Sequence, residues 1–114
     1  MDDCLFCKII SGEIKSDIIF ENDYVLAFKD INPKAPVHLL VVPKKHISSI
    51  LEIEKLSSVE VNEMINSISN LAKELGLQKD GFRVVTNTGQ GAGQSVAHLH
   101  FHIMGKRAFN WPPG

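Results

Sequence analysis

The 114-residue chain has only 2 cysteines, and both fall within Cys4-x-x-Cys7, so a framework of structural disulfides is excluded. Nowhere does it reach the roughly 18 consecutive apolar residues that a membrane-spanning helix needs. The opening Met1-Asp2-Asp3-Cys4 lacks the basic stretch and apolar region of a secretory signal, and the expected setting is the cytoplasm. Charge of one sign is missing too. With 12 basic against 13 acidic residues and a net charge of -1, there is no global field to draw in nucleic acid or an anionic membrane. The expected partner is a small molecule. Repeats, low-complexity tracts and long linkers are also absent.

What is present suits one compact domain over residues 1–114, with an ordinary hydrophobic fraction of 44%. Lys8 to Gly12 reads as part of a short helix stopped by the glycine. Ile18-Ile19-Phe20 and Tyr24 to Phe28 flank the turn formers Glu21-Asn22-Asp23, a hairpin pattern. Val37 to Val42 is apolar apart from His38 and predicts a strand covered on both faces, where the imidazole needs a polar partner. Residues 58–75 predict the one long helix. Val61, Met64, Ile65, Ile68, Leu71, Ala72 and Leu75 repeat at helical spacing, Ser57 to Glu60 fits a capping box, and Gly76 is the stop. Phe82 to Thr86 and Leu99 to Met104 read as two further strands. Strands outnumber helices and begin with a hairpin, so the expected class is α+β with an antiparallel sheet.

The chemistry concentrates in His98-Leu99-His100-Phe101-His102-Ile103-Met104. Period-two alternation predicts all three imidazoles on one face of a strand and Leu99, Phe101 and Ile103 in the core. Successive histidines then stand about 6.7 Å apart, which lets two neighbours engage one phosphoryl group. A His-x-His pair can also hold zinc or iron, with His38 as a further ligand. The loop before the strand weighs against that: Gly89, Gly91 and Gly93 clear side chains from backbone amides, which then form a concave anion site. Gln94 and Ser95 add an amide and a hydroxyl beside the histidines. The combination points to phosphate. Cys4-x-x-Cys7 alone leaves open thiol redox chemistry, half a zinc site, or neither.

Residues 98–104 match His-φ-His-φ-His-φ-φ, with φ apolar, and the chain resembles the histidine-triad hydrolases and transferases. The likeness extends through Phe6-Cys7-Lys8-Ile9-Ile10, Asp30-Ile31-Asn32-Pro33 with Ala35-Pro36, Val41 to Ile47, and Gly93-Gln94-Ser95-Val96. The ending Trp111-Pro112-Pro113-Gly114 is similar to the nucleoside-phosphoramidase branch. The resemblance implies a five-stranded antiparallel sheet with one long and one short helix, and a homodimer in which the Trp111 segment reaches the partner's site. It implies cleavage of purine nucleoside 5′-phosphoramidates (AMP or GMP derivatives) at the α-phosphorus, through a covalent nucleotidyl-histidine. His100 would be the nucleophile. His102 and Ser95 would serve the phosphoryl oxygens and leaving group, and His38 would orient the cluster. Asn87, Gly93 and Gln94 would line the phosphate side. Asp30 would take the ribose hydroxyls, although it also reads as a loop cap, and Phe6, Ile9, Ile14, Phe28 and Ile31 would form the base pocket. By the same resemblance Cys4, Cys7, His46 and His98 would hold one structural zinc per chain. Dinucleoside polyphosphate hydrolysis and a non-catalytic nucleotide-binding adaptor are the alternatives.

Overall fold

A computed structural model describes residues 3–114. Its elements run α1 (Leu5–Ile10), β1 (Ile18–Glu21), β2 (Val25–Lys29), β3 (Val37–Pro43), α2 (Ser58–Glu74), β4 (Phe82–Val85) and β5 (Phe101–Gly105), with short 3-10 turns at Ile50–Lys55 and Gln90–Ala92. The five strands form one sheet in the order β1-β2-β3-β5-β4, with every neighbouring pair antiparallel. This is the α+β architecture expected, with one long and one short helix. Among the described residues no helix is long and apolar enough to cross a membrane.

The central strand β3 is buried on both faces, as its unbroken apolar run predicts. Leu39 and Val41 face α2 and pack with Met64, Ile68, Leu71 and Ala72. Leu40 and Val42 face the other way, against Phe6 and Ile9 of α1 together with Leu26 and Phe28. His38 shares that second face by the two-residue period, and so does His102, which stands opposite Leu40 in the ladder. The sheet therefore divides the molecule. α2 anchors one side, while the other carries α1 and the histidines.

The capping box of α2 is present in both directions: Ser57 accepts from the Glu60 amide and Glu60 from the Ser57 amide. The helix ends at Glu74, and Gly76 follows with a left-handed φ of 70°. Its apolar stripe is narrower than the sequence predicts, because Ile65 lies beside the Met64–Ile68–Leu71 line and is 49% exposed. The short N-terminal helix begins at Leu5, where Cys4 caps it by accepting from the Cys7 amide at 3.3 Å.

A larger correction concerns the histidine strand. β5 starts at Phe101, so His98, Leu99 and His100 lie outside the ladder. The Leu99 amide bonds instead to the Ile47 carbonyl at 2.8 Å. The alternation survives this departure, because Leu99 and Ile103 are core residues and the imidazoles point away from them. His98 and His100 are both buried.

At its far end β5 meets the segment that follows α2. A Cβ on Gly105 would lie 2.7 Å from Leu77 Cδ2, and Leu77 is itself buried. Gly105→Ala should destabilise the fold by about 1–3 kcal/mol through overpacking. Urea unfolding of Gly105→Ala, Leu77→Ala and the double variant checks the cause. The double variant should lose less than the sum of the two singles.

Candidate active site

A cavity of about 250 Å³ opens on the α1 side of the sheet. Phe6, Ile9, Ile14, Phe28 and Ile31 line its apolar wall, and Asp30, Ser95, His100 and His102 line the other. The structure thus gathers most residues singled out from sequence around one space. Ile31 only rims it, being fully exposed. Asn87 and Gly93 stand in the loop outside the lining residues. Gln94 is committed to the loop itself: its Nε2 donates to the carbonyls of Ser48 and Val96 at 2.7 and 3.0 Å, and its Oε1 accepts from the Gly89 amide at 2.9 Å. Gly89 and Gly93 have φ of 85° and 83°, which side-chain-bearing residues rarely adopt. The loop's conformation therefore depends on its glycines and on the Gln94 brace.

The ring nitrogens can be assigned from their partners. His100 Nδ1 lies 2.7 Å from the His98 carbonyl. A carbonyl only accepts, so Nδ1 carries the hydrogen and Nε2 keeps a lone pair. Phe6 packs against the same ring in a T-shaped arrangement, with centroids 4.9 Å apart. His102 has the opposite polarity. Its Nδ1 is 2.9 Å from His38 Nε2, while His38 Nδ1 accepts the Lys34 amide at 2.9 Å. Following the hydrogens, His38 Nε2–H donates to His102 Nδ1, which leaves His102 with a hydrogen on Nε2. Asp30 Oδ2 sits 3.3 Å from His38 Nε2, and Asp30 Oδ1 accepts the Asn32 amide at 2.8 Å. Asp30 is thus a loop cap and a cavity residue at once.

Burial drives the His102 pKa down to about 4; the nearby His100 and His38 act in the same direction, and Asp30 opposes them. Burial lowers His38 as well, against the pull of Asp30. The pair rests neutral at physiological pH.

Cys4, Cys7, His46 and His98 bring their ligating atoms within 4.8 Å of one another. Nδ1 of His46 and Nδ1 of His98 are 3.0 Å apart, and each lies 3.3 Å from one thiol. A tetrahedral ion with Zn–N near 2.0–2.1 Å and Zn–S near 2.3 Å requires ligand separations of roughly 3.3–3.8 Å. The fit is close. His98 Nε2 donates to the Pro43 carbonyl at 2.9 Å, which leaves the Nδ1 lone pair aimed at the sulfurs. Burial, reinforced by Cys4, pushes the Cys7 thiol up to about 11, a penalty that a bound divalent cation reverses. His98 is lowered to about 4, chiefly by burial. This Cys2His2 cluster is compatible with zinc.

Several contributors carry no sequence signal. The Pro43 and His98 carbonyls and the Lys34 amide are backbone groups. Thr86 is a missed side chain, its Oγ1 donating to the His100 carbonyl at 2.8 Å. A threonine ending a strand is too ordinary to stand out.

The chain matches the HIT domain family over residues 11–109. It is similar to an uncharacterized HIT-like protein of Synechococcus elongatus, 43% identical over 99% of this chain and 98% of that one. It is also 42% identical to a 14 kDa zinc-binding protein of Brassica juncea, over 98% of this chain and all of that one. The crystal structure of a HIT family hydrolase from Legionella pneumophila superposes with a TM-score of 0.94 at 45% identity, covering 98% of this chain and all of that one. The chain belongs to the HIT family.

The depressed histidines predict an acid weakness. Unfolded, His98 and His102 bind protons near pH 6.5; folded, they do so only near pH 4. Between those values the unfolded chain holds more protons, so stability falls as pH drops from about 6.5 towards 4. Urea midpoints across that range should show the decline, and His102→Gln should flatten part of it. An unchanged slope would remove His102 as a source.

Proposed function

We propose that the protein is a nucleotide hydrolase acting on purine nucleoside 5′-phosphoramidates or related nucleotidyl compounds. The observation that carries this reading is the paired polarity at the cavity: a lone pair on His100 Nε2 beside an N–H on His102 Nε2. The first is a nucleophile that needs no base, and the second a donor for a phosphoryl oxygen.

In the first half-reaction His100 Nε2 bonds to the α-phosphorus as the P–N bond to the leaving amine breaks. An anionic phosphoryl oxygen beside His102 accepts a hydrogen bond from the Nε2–H that the ring already carries. The leaving nitrogen takes a proton from solvent, relayed on the side where Ser95 stands, while His102 keeps its Nε2–H. In the second half-reaction water attacks phosphorus and releases a proton to solvent, replacing the one the leaving nitrogen took, while the P–N bond to His100 breaks and the nucleotide leaves with the ring restored. Asp30, at the junction of the apolar and polar walls, suits the ribose hydroxyls, and the Phe6–Phe28 side suits the base.

Cys4, Cys7, His46 and His98 would hold a zinc ion whose role is structural, since four protein ligands close the shell. The support is their geometry together with the zinc-binding name of the Brassica relative. Such an ion would stiffen the His98 backbone, whose carbonyl orients His100. We further propose a homodimer in the cytoplasm. The edge strand β4 exposes Phe82 and Val84, and Trp111 is 83% exposed, as expected of surfaces that meet a second copy.

His100→Ala should lose kcat by several orders of magnitude while still binding nucleoside monophosphate. A panel of adenosine phosphoramidates and dinucleoside polyphosphates, compared by kcat/KM, tests the substrate class. Turnover of His100→Ala within tenfold of wild type would identify another nucleophile. An inert wild type that binds nucleotide would favour an adaptor.

Metal analysis after chelator-free purification should find about one zinc per chain. Cys4→Ser with Cys7→Ser should abolish it and lower Tm, because metal binding contributes directly to folding free energy. Retained zinc would place the ion elsewhere.

A further inference from the structure

The proposed reaction needs His102 to present a hydrogen, not a lone pair, to the phosphoryl group. Imidazole itself is nearly indifferent between its two neutral forms, so the choice comes from outside the ring. Here it originates at Lys34. A backbone amide can only donate, and the Lys34 amide stands 2.9 Å from His38 Nδ1. That fixes the hydrogen of His38 on Nε2, and through the 2.9 Å contact it fixes the hydrogen of His102 on its own Nε2.

The same amide settles a second question. Asp30, His38 and His102 bring three potential ligand atoms within 4.8 Å, the make-up of a two-histidine, one-carboxylate metal site. An ion there would need the lone pair of His38 Nε2, which would move the hydrogen to Nδ1 and set two donors face to face at 2.9 Å. The Lys34 amide therefore keeps this trio a hydrogen-bond relay and works against metal occupancy.

Lys34 lies on an exposed loop between Pro33 and Ala35-Pro36, and its other polar group is held from the far end of the chain. Arg107 Nε donates to the Lys34 carbonyl at 2.8 Å. The guanidinium is itself immobilised: Nη1 donates to the Ala108 carbonyl at 2.9 Å, and Cζ lies 4.1 Å over the Phe109 ring. Arg83 also lies over that ring, at 5.1 Å, and donates to the Asn110 carbonyl at 2.9 Å. The segment after β5 is thereby latched to the loop that sets the relay.

We infer that Arg107 is a positioning residue for His102, acting through Lys34 and His38 to fix which nitrogen carries the hydrogen. The kinetic part rests on the proposed reaction, and the tautomer part does not. Nitrogen-15 chemical shifts of the histidine rings, with the chain as it stands, provide the direct test. In the wild type His38 and His102 should both carry hydrogen on Nε2, and His100 on Nδ1. In Arg107→Ala, a surface substitution that should leave the fold intact, the His38 and His102 signals should move towards averaged tautomers. The expected kinetic effect is a fall in kcat of about tenfold with KM within about twofold. A wild-type His38 with its hydrogen on Nδ1 would overturn the inference. So would an Arg107→Ala protein with unaltered ring shifts, which would reduce Arg107 to an anchor for the tail. If the shifts move but the wild type hydrolyses nothing on the substrate panel, the positioning stands and the reaction assignment fails.

Discussion

The hydrogen bond from His100 Nδ1 to the His98 carbonyl, 2.7 Å long, joins the molecule's two polar centres. His98 turns its ring to Cys4, Cys7 and His46 and its carbonyl to His100. The Pro43 carbonyl holds the back of the first ring, and Thr86 holds the peptide of the second. If residue 98 were to rotate, the cluster would lose a ligand and His100 would lose the acceptor that keeps its outer nitrogen free of hydrogen. The departure of residues 98–100 from the ladder follows from this. An ideal strand would have pointed His98 and His100 along parallel directions, whereas here they serve sites on either side of one peptide.

Three imidazoles with the same intrinsic chemistry thus acquire three functions from their partners alone. His98 is turned into a buried lone pair aimed at sulfur, His100 into a lone pair aimed at the cavity, and His102 into a donor aimed at the same cavity. Each choice is made by a backbone group: the Pro43 carbonyl, the His98 carbonyl and, at one remove, the Lys34 amide. Backbone groups cannot change protonation state, so each fixes which nitrogen carries the hydrogen in the neutral ring it governs.

Much of this arrangement was legible in the sequence. The hairpin, the doubly covered β3 and the capped helix α2 each follow from local patterning, and the alternation at 98–104 separated core residues from imidazoles correctly. The gathering of Cys4, Cys7, His46 and His98 was anticipated by resemblance and not by spacing, since nothing local links residues 4 and 98. What escaped was long-range and made of backbone. The start of β5 was misplaced because the competing partners of His98 and Leu99 lie on distant segments, at Pro43 and Ile47. Gln94 read as a polar side chain beside the histidines, yet its amide braces the loop, because carbonyls of Ser48 and Val96 stand where only folding could bring them. Ile65 fitted the helical period but fell outside the stripe that the sheet covers.

Gly105 bears on how such a site can change over time. The contact with Leu77 fixes β5 from its C-terminal end, downstream of every histidine. A slip of one residue would force a side chain against Leu77 and exchange the imidazoles with Leu99 and Ile103. The glycine-rich loop enters the same strand from the other end. A length change between β4 and His98 would therefore disturb Ser95 and the Gln94 brace before it displaced His102. The register of the histidine strand is thus held from one end, and the loop that completes the cavity is held from the other.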